Sequence, residues 1–366
     1  MKSSAMIPLV VLLVAHSAQA AEMSDPTDPP VSHFQGSCDG DPDGTKFAKR
    51  ACYTSFDPNR AAFGPAYRPP TCAKKEVSEL QRDLLAKAYS RAPDYVKAKL
   101  CRLTKVFVAQ STRRPWGSWG LWEGPDRRPG TGVYVAISER ELGPESKKSL
   151  AEAENEIVDG LLGGAVGGHK YRSRLERLQT SDDPDRELTV LAALAHELGH
   201  ALLADSNADG TDRRHPRRRF SGPPKSACFE DAFLGSSWEV EKFHEHMHRW
   251  VEFGNQYENR ARNPEFRFSL KQLRAAAHQG KFDAANSLIE KVYRGTEFVS
   301  FNALINPLED FSDTYKYQVL ADAKRTQPII IRLRDNEINV LDFLKSEIIA
   351  KKVGCLRDLG FLTSQP

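Results

Sequence analysis

The chain has 366 residues, of which 40% are hydrophobic and 28% are charged, with a formal net charge of +3. This length allows one large domain or two ordinary ones, and the composition is that of a globular protein. The charge is too small to indicate a nucleic-acid or anionic-membrane partner, and we expect neither.

The first twenty residues have the pattern of a secretory signal. A basic start (MK) is followed by an apolar run over 6–15 and by an A-x-A cleavage site that ends at Ala20. The run is shorter than the roughly 18 apolar residues of a membrane span, and no later run approaches that length. We therefore predict a signal peptide over 1–20, cleavage after Ala20, a secreted or periplasmic location and no membrane span.

Residues 21–75 are rich in Pro, Asp and Gly and lack clear periodicity, which predicts an irregular N-terminal arm. The chain has six cysteines, an even number that fits disulfides in an oxidising compartment. We expect Cys38, Cys52, Cys72 and Cys101 to pair among themselves and Cys228 to pair with Cys355. Such bonds favour a permanent brace over a removable pro-segment, and residues 76–366 would form the main domain.

The start of this domain mixes helices and strands. Apolar residues at helical spacing predict helices over Glu76–Ser90, Pro93–Leu100, Glu145–Gly160 and Tyr171–Leu178. Apolar runs with strand-forming residues predict strands over Lys105–Gln110 and Val133–Ser138, separated by a long loop, Ser111–Gly132. The loop contains Trp116, Trp119 and Trp122, which we expect to pack over the sheet; substrate binding is the alternative.

An H-E-x-x-H motif lies within a predicted helix over Leu188–Asp205. His196 and His200 are four residues apart, so on a helix both imidazoles can reach one metal ion. Zinc accepts neutral imidazole and often keeps an open position for water in catalytic sites. Glu197, beside the first histidine, is placed to take a proton from that water. The alternative is an amphipathic helix whose histidines are merely solvated.

We expect an inserted helical region over about 205–300. Helices are predicted over Trp238–Phe253, Ser269–His278 and Asp283–Arg294. His244 and His248 have the spacing of a second metal site, although surface histidines are the preferred interpretation. An arginine-rich run over 213–220 is interpreted as a solvated loop, with a rim for acidic substrates as the alternative.

A later segment, N-P-L-E-D-F-S-D over 306–313, supplies carboxylates for the same centre. Glu309 begins a predicted helix, and two histidines with one Glu are a known ligand set for catalytic zinc. Asp313, four residues on, is expected to hydrogen-bond the free nitrogen of a ligating histidine. An ordinary acidic helix start is the alternative. Beyond it we predict a strand over Gln327–Arg334 and a helix over Asn336–Lys352.

This combination of H-E-x-x-H and E-x-x-x-D resembles the gluzincin branch of zinc metallopeptidases, and the N-x-x-E-D-F-S-D form is closer to anthrax lethal factor-like and related secreted peptidases. The resemblance implies that His196, His200 and Glu309 bind one zinc ion and that Glu197 is the general base. It also implies an α+β, zincin-like fold, in which a twisted mixed sheet packs on the H-E-x-x-H helix beside a helical C-terminal subdomain. Val133–Ser138 would be the edge strand that pairs with extended substrate.

One position departs from this family. Where lethal factor-like enzymes have a tyrosine seven residues before the Glu ligand, this chain has Asn302. The sequence therefore does not identify the group that would stabilise an oxyanion. The candidates are Asn302, Tyr315, Tyr317, Tyr293 and His278.

The resulting hypothesis is an exported zinc-dependent endopeptidase that acts on a protein or peptide substrate, with a zinc-bound water and Glu197 as general base. One alternative is a non-catalytic zinc-containing binding protein derived from a peptidase, and another is a metal-dependent cell-wall amidase. A structural zinc usually has four protein ligands, and no fourth is evident in the sequence. No wall-binding repeat supports the amidase.

Overall fold

The computed structural model describes residues 41–55, 71–110, 117–122, 132–143, 149–162, 178–180, 185–206, 226–239, 261–295, 297–323, 330–333 and 336–362. The helices are α1 (Thr45–Lys49), α2 (Glu79–Arg91), α3 (Asp94–Leu100), α4 (Leu150–Leu161), α5 (Arg186–Ser206), α6 (Ala227–Phe229), α7 (Leu270–His278), α8 (Asp283–Arg294), α9 (Pro307–Asp322), α10 (Val340–Phe343) and α11 (Glu347–Asp358). The strands are β1 (Ala51–Thr54), β2 (Lys105–Ala109), β3 (Gly117–Trp122), β4 (Gly132–Ser138), β5 (Leu178–Thr180), β6 (Ile330–Leu333) and β7 (Asn336–Asn339). A π-helical turn, Glu230–Gly235, follows α6, and Pro264–Phe266 is a 3₁₀ turn.

The described residues form a mixed α+β structure with more helix than strand. One sheet has the order β1-β2-β4-β3, in which β1, β2 and β4 are parallel and β3 is antiparallel to β4. The other, β5-β6-β7, is antiparallel. Every residue of β4 is buried, as expected for a central strand covered on both faces. The long helix α5 packs against β3, β4 and α2, and α9 packs against α5.

Three predictions about the first sheet are wrong. Val133–Ser138 lies within β4, an interior strand, whereas Gly117–Trp122, within the predicted loop, forms the antiparallel edge strand β3. In β3 the two glycines of GSWGLW interrupt the alternation that marks a strand. At the other edge, Ala51–Thr54 forms β1 inside the predicted irregular arm, because four residues are too few to show a period.

Capping residues explain where several of the helices begin. Helix α2 begins at Glu79, three residues later than predicted, because Ser78 and Gln81 form a capping box. Ser149 and Glu152 do the same for α4, and the Ser269 side chain accepts a hydrogen bond from the Gln272 backbone at the start of α7. The helices predicted over Ser269–His278 and Asp283–Arg294 are confirmed as α7 and α8.

Three other predicted helices are replaced by different elements or lie largely outside the described residues. Leu178, the last residue of a predicted helix, begins β5, and the rest of that helix lies outside the described residues. The helix over Asn336–Lys352 is replaced by β7, α10 and the first half of α11, because Ile330–Leu333 finds a hairpin partner in Asn336–Asn339. Trp238 forms an isolated bridge with Ala261. Most of the predicted Trp238–Phe253 helix, including His244 and His248, lies outside the described part, as do 213–220 and Trp116.

The disulfides agree with the predicted grouping. Cys52 is bonded to Cys72 and Cys228 to Cys355, and Cys101 is also disulfide-bonded. Disulfides of this kind persist in oxidising compartments, so they are consistent with an extracellular protein. Within the described ranges, no helix is both long and apolar enough to cross a membrane.

Candidate metal centre

The two histidines of the motif lie in the middle of α5. The helix starts against Asp185, whose Oδ1 accepts a hydrogen bond from the backbone nitrogen of Leu188 over 3.0 Å and so satisfies a free donor of the first turn. Arg91 of α2 lies 2.6 Å from the same carboxylate. His196 and His200 follow one helical turn apart, and their rings meet edge to face with centroids 4.8 Å apart.

The carboxylate of Glu309 reaches these histidines from the first turn of α9. Asn306 caps this helix: its Oδ1 accepts hydrogen bonds from the backbone nitrogens of Leu308 and Glu309 over 2.9 and 3.0 Å. Pro307 occupies the first helical turn, where its missing N–H costs nothing. The N-P-x-E sequence thus fixes the backbone that carries Glu309.

A close crossing of the two helices brings these side chains together. At the crossing point, a Cβ added to Gly199 would lie 3.0 Å from Ser312 Cα and 3.3 Å from Ser312 Cβ. Only glycine leaves this space free, because it lacks a side chain. Gly199 lies between the two histidines in sequence and Ser312 follows Glu309 by three residues, so the helices approach closely where they carry these side chains.

Three ligand atoms meet at one point. His196 Nε2 lies 3.2 Å from His200 Nε2, and Glu309 Oε2 lies 3.3 Å from each of these nitrogens. The group can hold a metal ion. The side chains of His196, His200 and Glu309 are 11%, 13% and 26% exposed, so the centre can be reached from solvent, chiefly beside Glu309.

Asp313 holds the other side of the His196 ring. Its Oδ1 lies 2.6 Å from His196 Nδ1, which leaves Nε2 directed to the other ligands. Burial alone would lower the pKa of His196, but the negative charges and hydrogen bonds of Asp313 and Glu309 outweigh it and raise that pKa to about 10. Burial would raise the pKa of Glu309, yet the charge of His200 and hydrogen bonds from both histidines hold it well below its usual range.

Glu197 follows His196 on α5 and is buried, with 5% of its surface exposed. Three features of this centre agree with the sequence analysis. His196 and His200 lie side by side, the Glu309 carboxylate lies against both of them, and Asp313 contacts the other nitrogen of His196.

A charged network behind Asp313 was not predicted from the sequence. Lys316 Nζ lies 2.9 Å from Asp313 Oδ1 and 2.8 Å from Glu154 Oε1, and these three side chains are fully buried. Lys316 follows Asp313 by three residues, so helical spacing was the one available signal for it. Glu154 lies on α4, and nothing in its local sequence marks it as a partner.

The oxyanion candidates are distributed over several places. The hydroxyls of Tyr293 and Tyr317 donate to the Glu154 carboxylate over 3.1 and 3.2 Å. The Tyr315 hydroxyl is buried, and no group in the described part of the chain hydrogen-bonds it. His278 is exposed at the end of α7. Asn302 donates to Glu309 and is the candidate placed beside a ligand of the centre.

Comparisons of the chain with protein-family models, with curated proteins and with solved structures found no match. The relation to gluzincins therefore stays a prediction, and it rests on the motif residues.

Proposed function

We propose that the chain is an exported zinc-dependent endopeptidase, with His196, His200 and Glu309 as the ligands of one zinc ion. The observation that carries this proposal is the near-equilateral triangle of ligand atoms, with sides of 3.2, 3.3 and 3.3 Å. Atoms that bind zinc at its usual bond length in a tetrahedral arrangement are about 3.3–3.4 Å apart. Two imidazoles and one carboxylate are also a donor set of catalytic zinc, which keeps its fourth position open.

A zinc ion held by these three residues would supply Lewis-acid chemistry, polarising a carbonyl group and lowering the pKa of water to about 7. In this proposal Glu197 is the general base. Its carboxylate takes a proton from the attacking water as the new C–O bond forms, and it gives that proton to the leaving nitrogen as the C–N bond breaks. The low exposure of Glu197, 5%, supports this role because proton transfers are more effective where bulk water is excluded.

The edge strand β3 supports a peptide as the substrate. It pairs with β4 on one side and packs on α5, the helix that carries the motif. The other side of β3 is the outer edge of the sheet as far as the chain is described. An extended peptide can add to such an edge through backbone hydrogen bonds. The substrate-binding strand that we expected at Val133–Ser138 is therefore reassigned to Gly117–Trp122.

The test compares zinc content and casein hydrolysis for the wild-type chain, Glu197→Gln and the control Glu187→Gln. Glu187 lies on the same helix, 3.5 Å from Arg91. We expect one zinc per chain in all three proteins and hydrolysis by the wild type and the control alone. A Glu197→Gln variant that retains full hydrolysis would refute the general base, and zinc-loaded wild type without hydrolysis would favour a binding protein.

A further inference from the structure

A buried lysine joins two carboxylates directly behind the metal ligands. Lys316 Nζ bridges Glu154 Oε1 at 2.8 Å and Asp313 Oδ1 at 2.9 Å, with no exposed surface on any of the three side chains. The same Asp313 oxygen lies 2.6 Å from His196 Nδ1. Negative and positive charges therefore alternate from Glu154 through Lys316 to Asp313, and the series ends on a metal ligand.

The Asp313 carboxylate is held at both oxygens. Oδ1 lies between Lys316 Nζ and His196 Nδ1, and Oδ2 accepts a hydrogen bond from the Ser300 hydroxyl. Ser300 Oγ in turn accepts from the backbone nitrogen of Ala303 over 3.0 Å. With donors on each side, the carboxylate cannot turn without losing one of them, so Oδ1 stays directed at the His196 ring.

Glu154 fixes the lysine from a different helix. Its Oε1 accepts from Lys316 Nζ and the Tyr317 hydroxyl, and its Oε2 accepts from the Tyr293 hydroxyl. A buried ammonium group is costly unless its donors are satisfied, so Lys316 is held where both carboxylates reach it. Its position is therefore set by α4 as well as by α9.

We propose that Lys316, held by Glu154, is a positioning residue for the metal centre. By fixing Asp313 Oδ1, it fixes the orientation and tautomer of His196, so that Nε2 faces the ion. The inference rests on the proposed zinc site and deepens it. Partners of this kind around ligating histidines typically contribute about 10–100-fold in metal affinity.

A second buried lysine offers a matched control. Lys352 Nζ lies 2.7 Å from Asp310 Oδ2, and both side chains are fully buried. Asp310 also accepts from Trp238 Nε1 over 3.1 Å, so its carboxylate holds a tryptophan where Asp313 holds a histidine. Both lysine–aspartate pairs involve α9, but the contact with a ligating ring belongs to the pair with Lys316.

The experiment measures zinc affinity by competition with a chromophoric chelator for wild type, Glu154→Gln/Lys316→Met and Asp310→Asn/Lys352→Met. Each double variant removes one ammonium and one carboxylate, so the net buried charge is unchanged. We expect Glu154→Gln/Lys316→Met to lose about 10–100-fold in zinc affinity, and the control to stay close to wild type. Thermal unfolding of the zinc-free proteins measures any general loss of stability.

The outcomes separate this inference from the proposed function. Equal zinc affinity in the two double variants overturns the positioning role even if zinc binds and peptides are hydrolysed. A wild-type chain that binds no zinc overturns the metal centre, and the inference with it.

A second measurement leaves the network intact. Lys316 and Lys352 are the fully buried lysines among the described residues, so in wild-type protein with ¹⁵N-labelled lysine their ammonium signals are the ones protected from exchange with water. The protected signal that Asp310→Asn/Lys352→Met lacks belongs to Lys352, and the one that it keeps belongs to Lys316. Zinc addition should shift the Lys316 ammonium signal and leave that of Lys352 in place. A Lys316 signal that does not move overturns the inference, including in the case where Glu154→Gln/Lys316→Met does not fold.

Discussion

Asn302 donates a hydrogen bond from Nδ2 to Glu309 Oε2 over 2.8 Å. The same oxygen lies 3.3 Å from Nε2 of His196 and of His200. Asn302 therefore holds the Glu309 carboxylate from the position at which the family resemblance places a tyrosine. The Asn302 amide thus contacts Glu309, whereas the hydroxyls of Tyr293 and Tyr317 contact Glu154.

Asn302→Asp should weaken zinc binding more than Asn302→Ala. The alanine removes the donor that holds Glu309, whereas the aspartate adds a negative charge against that carboxylate. We expect a loss of about tenfold in zinc affinity for the alanine, within the range of other residues that orient ligands, and a larger loss for the aspartate. Chelator competition measures both. An Asn302→Ala variant that binds zinc like wild type would show that Glu309 needs no such support.

Alanine should have opposite effects on stability at two helical glycines, Gly199 at the crossing of α5 and α9 and Gly354 in α11. Gly199→Ala places a Cβ 3.0 Å from the Ser312 backbone, so the helices must separate; we expect a loss of about 1–3 kcal/mol in the free energy of unfolding. Gly354→Ala in α11 is the control, since its Cβ would meet nothing within 4 Å. It should gain up to about 1 kcal/mol from helix propensity. Urea unfolding measures both, and a stable Gly199→Ala would contradict the close crossing.

The Cys228–Cys355 bond should contribute strongly to stability. It closes a loop between positions 127 residues apart and joins α6 to α11. Long loops gain the most from closure, so Cys228→Ser/Cys355→Ser should lose about 2–5 kcal/mol in the free energy of unfolding. Urea unfolding without reductant measures this loss. A double variant as stable as wild type would indicate that packing alone holds α11.

The sequence predicted the parts of this molecule that depend on local pattern. The H-E-x-x-H and E-x-x-x-D patterns predicted the two helices and the three side chains, His196, His200 and Glu309, that the fold brings together. The short strands β1 and β3 were missed because a four-residue strand and a glycine-rich strand have too little alternation. The network of Glu154 and Lys316 was missed for a different reason: its members lie 162 residues apart, and the fold alone joins them.

Zinc should stabilise the folded chain even when catalysis is removed. An ion that binds the folded state alone adds about 2.7 kcal/mol at 100 times its dissociation constant. We expect this gain in wild type and in Glu197→Gln, because Glu197 is not a ligand, and its loss in His200→Ala, which removes one corner of the triangle. Chemical unfolding with zinc and with a chelator measures the difference. If Glu197→Gln loses the zinc-dependent gain as His200→Ala does, Glu197 contributes to metal binding and the division between ligands and base is wrong.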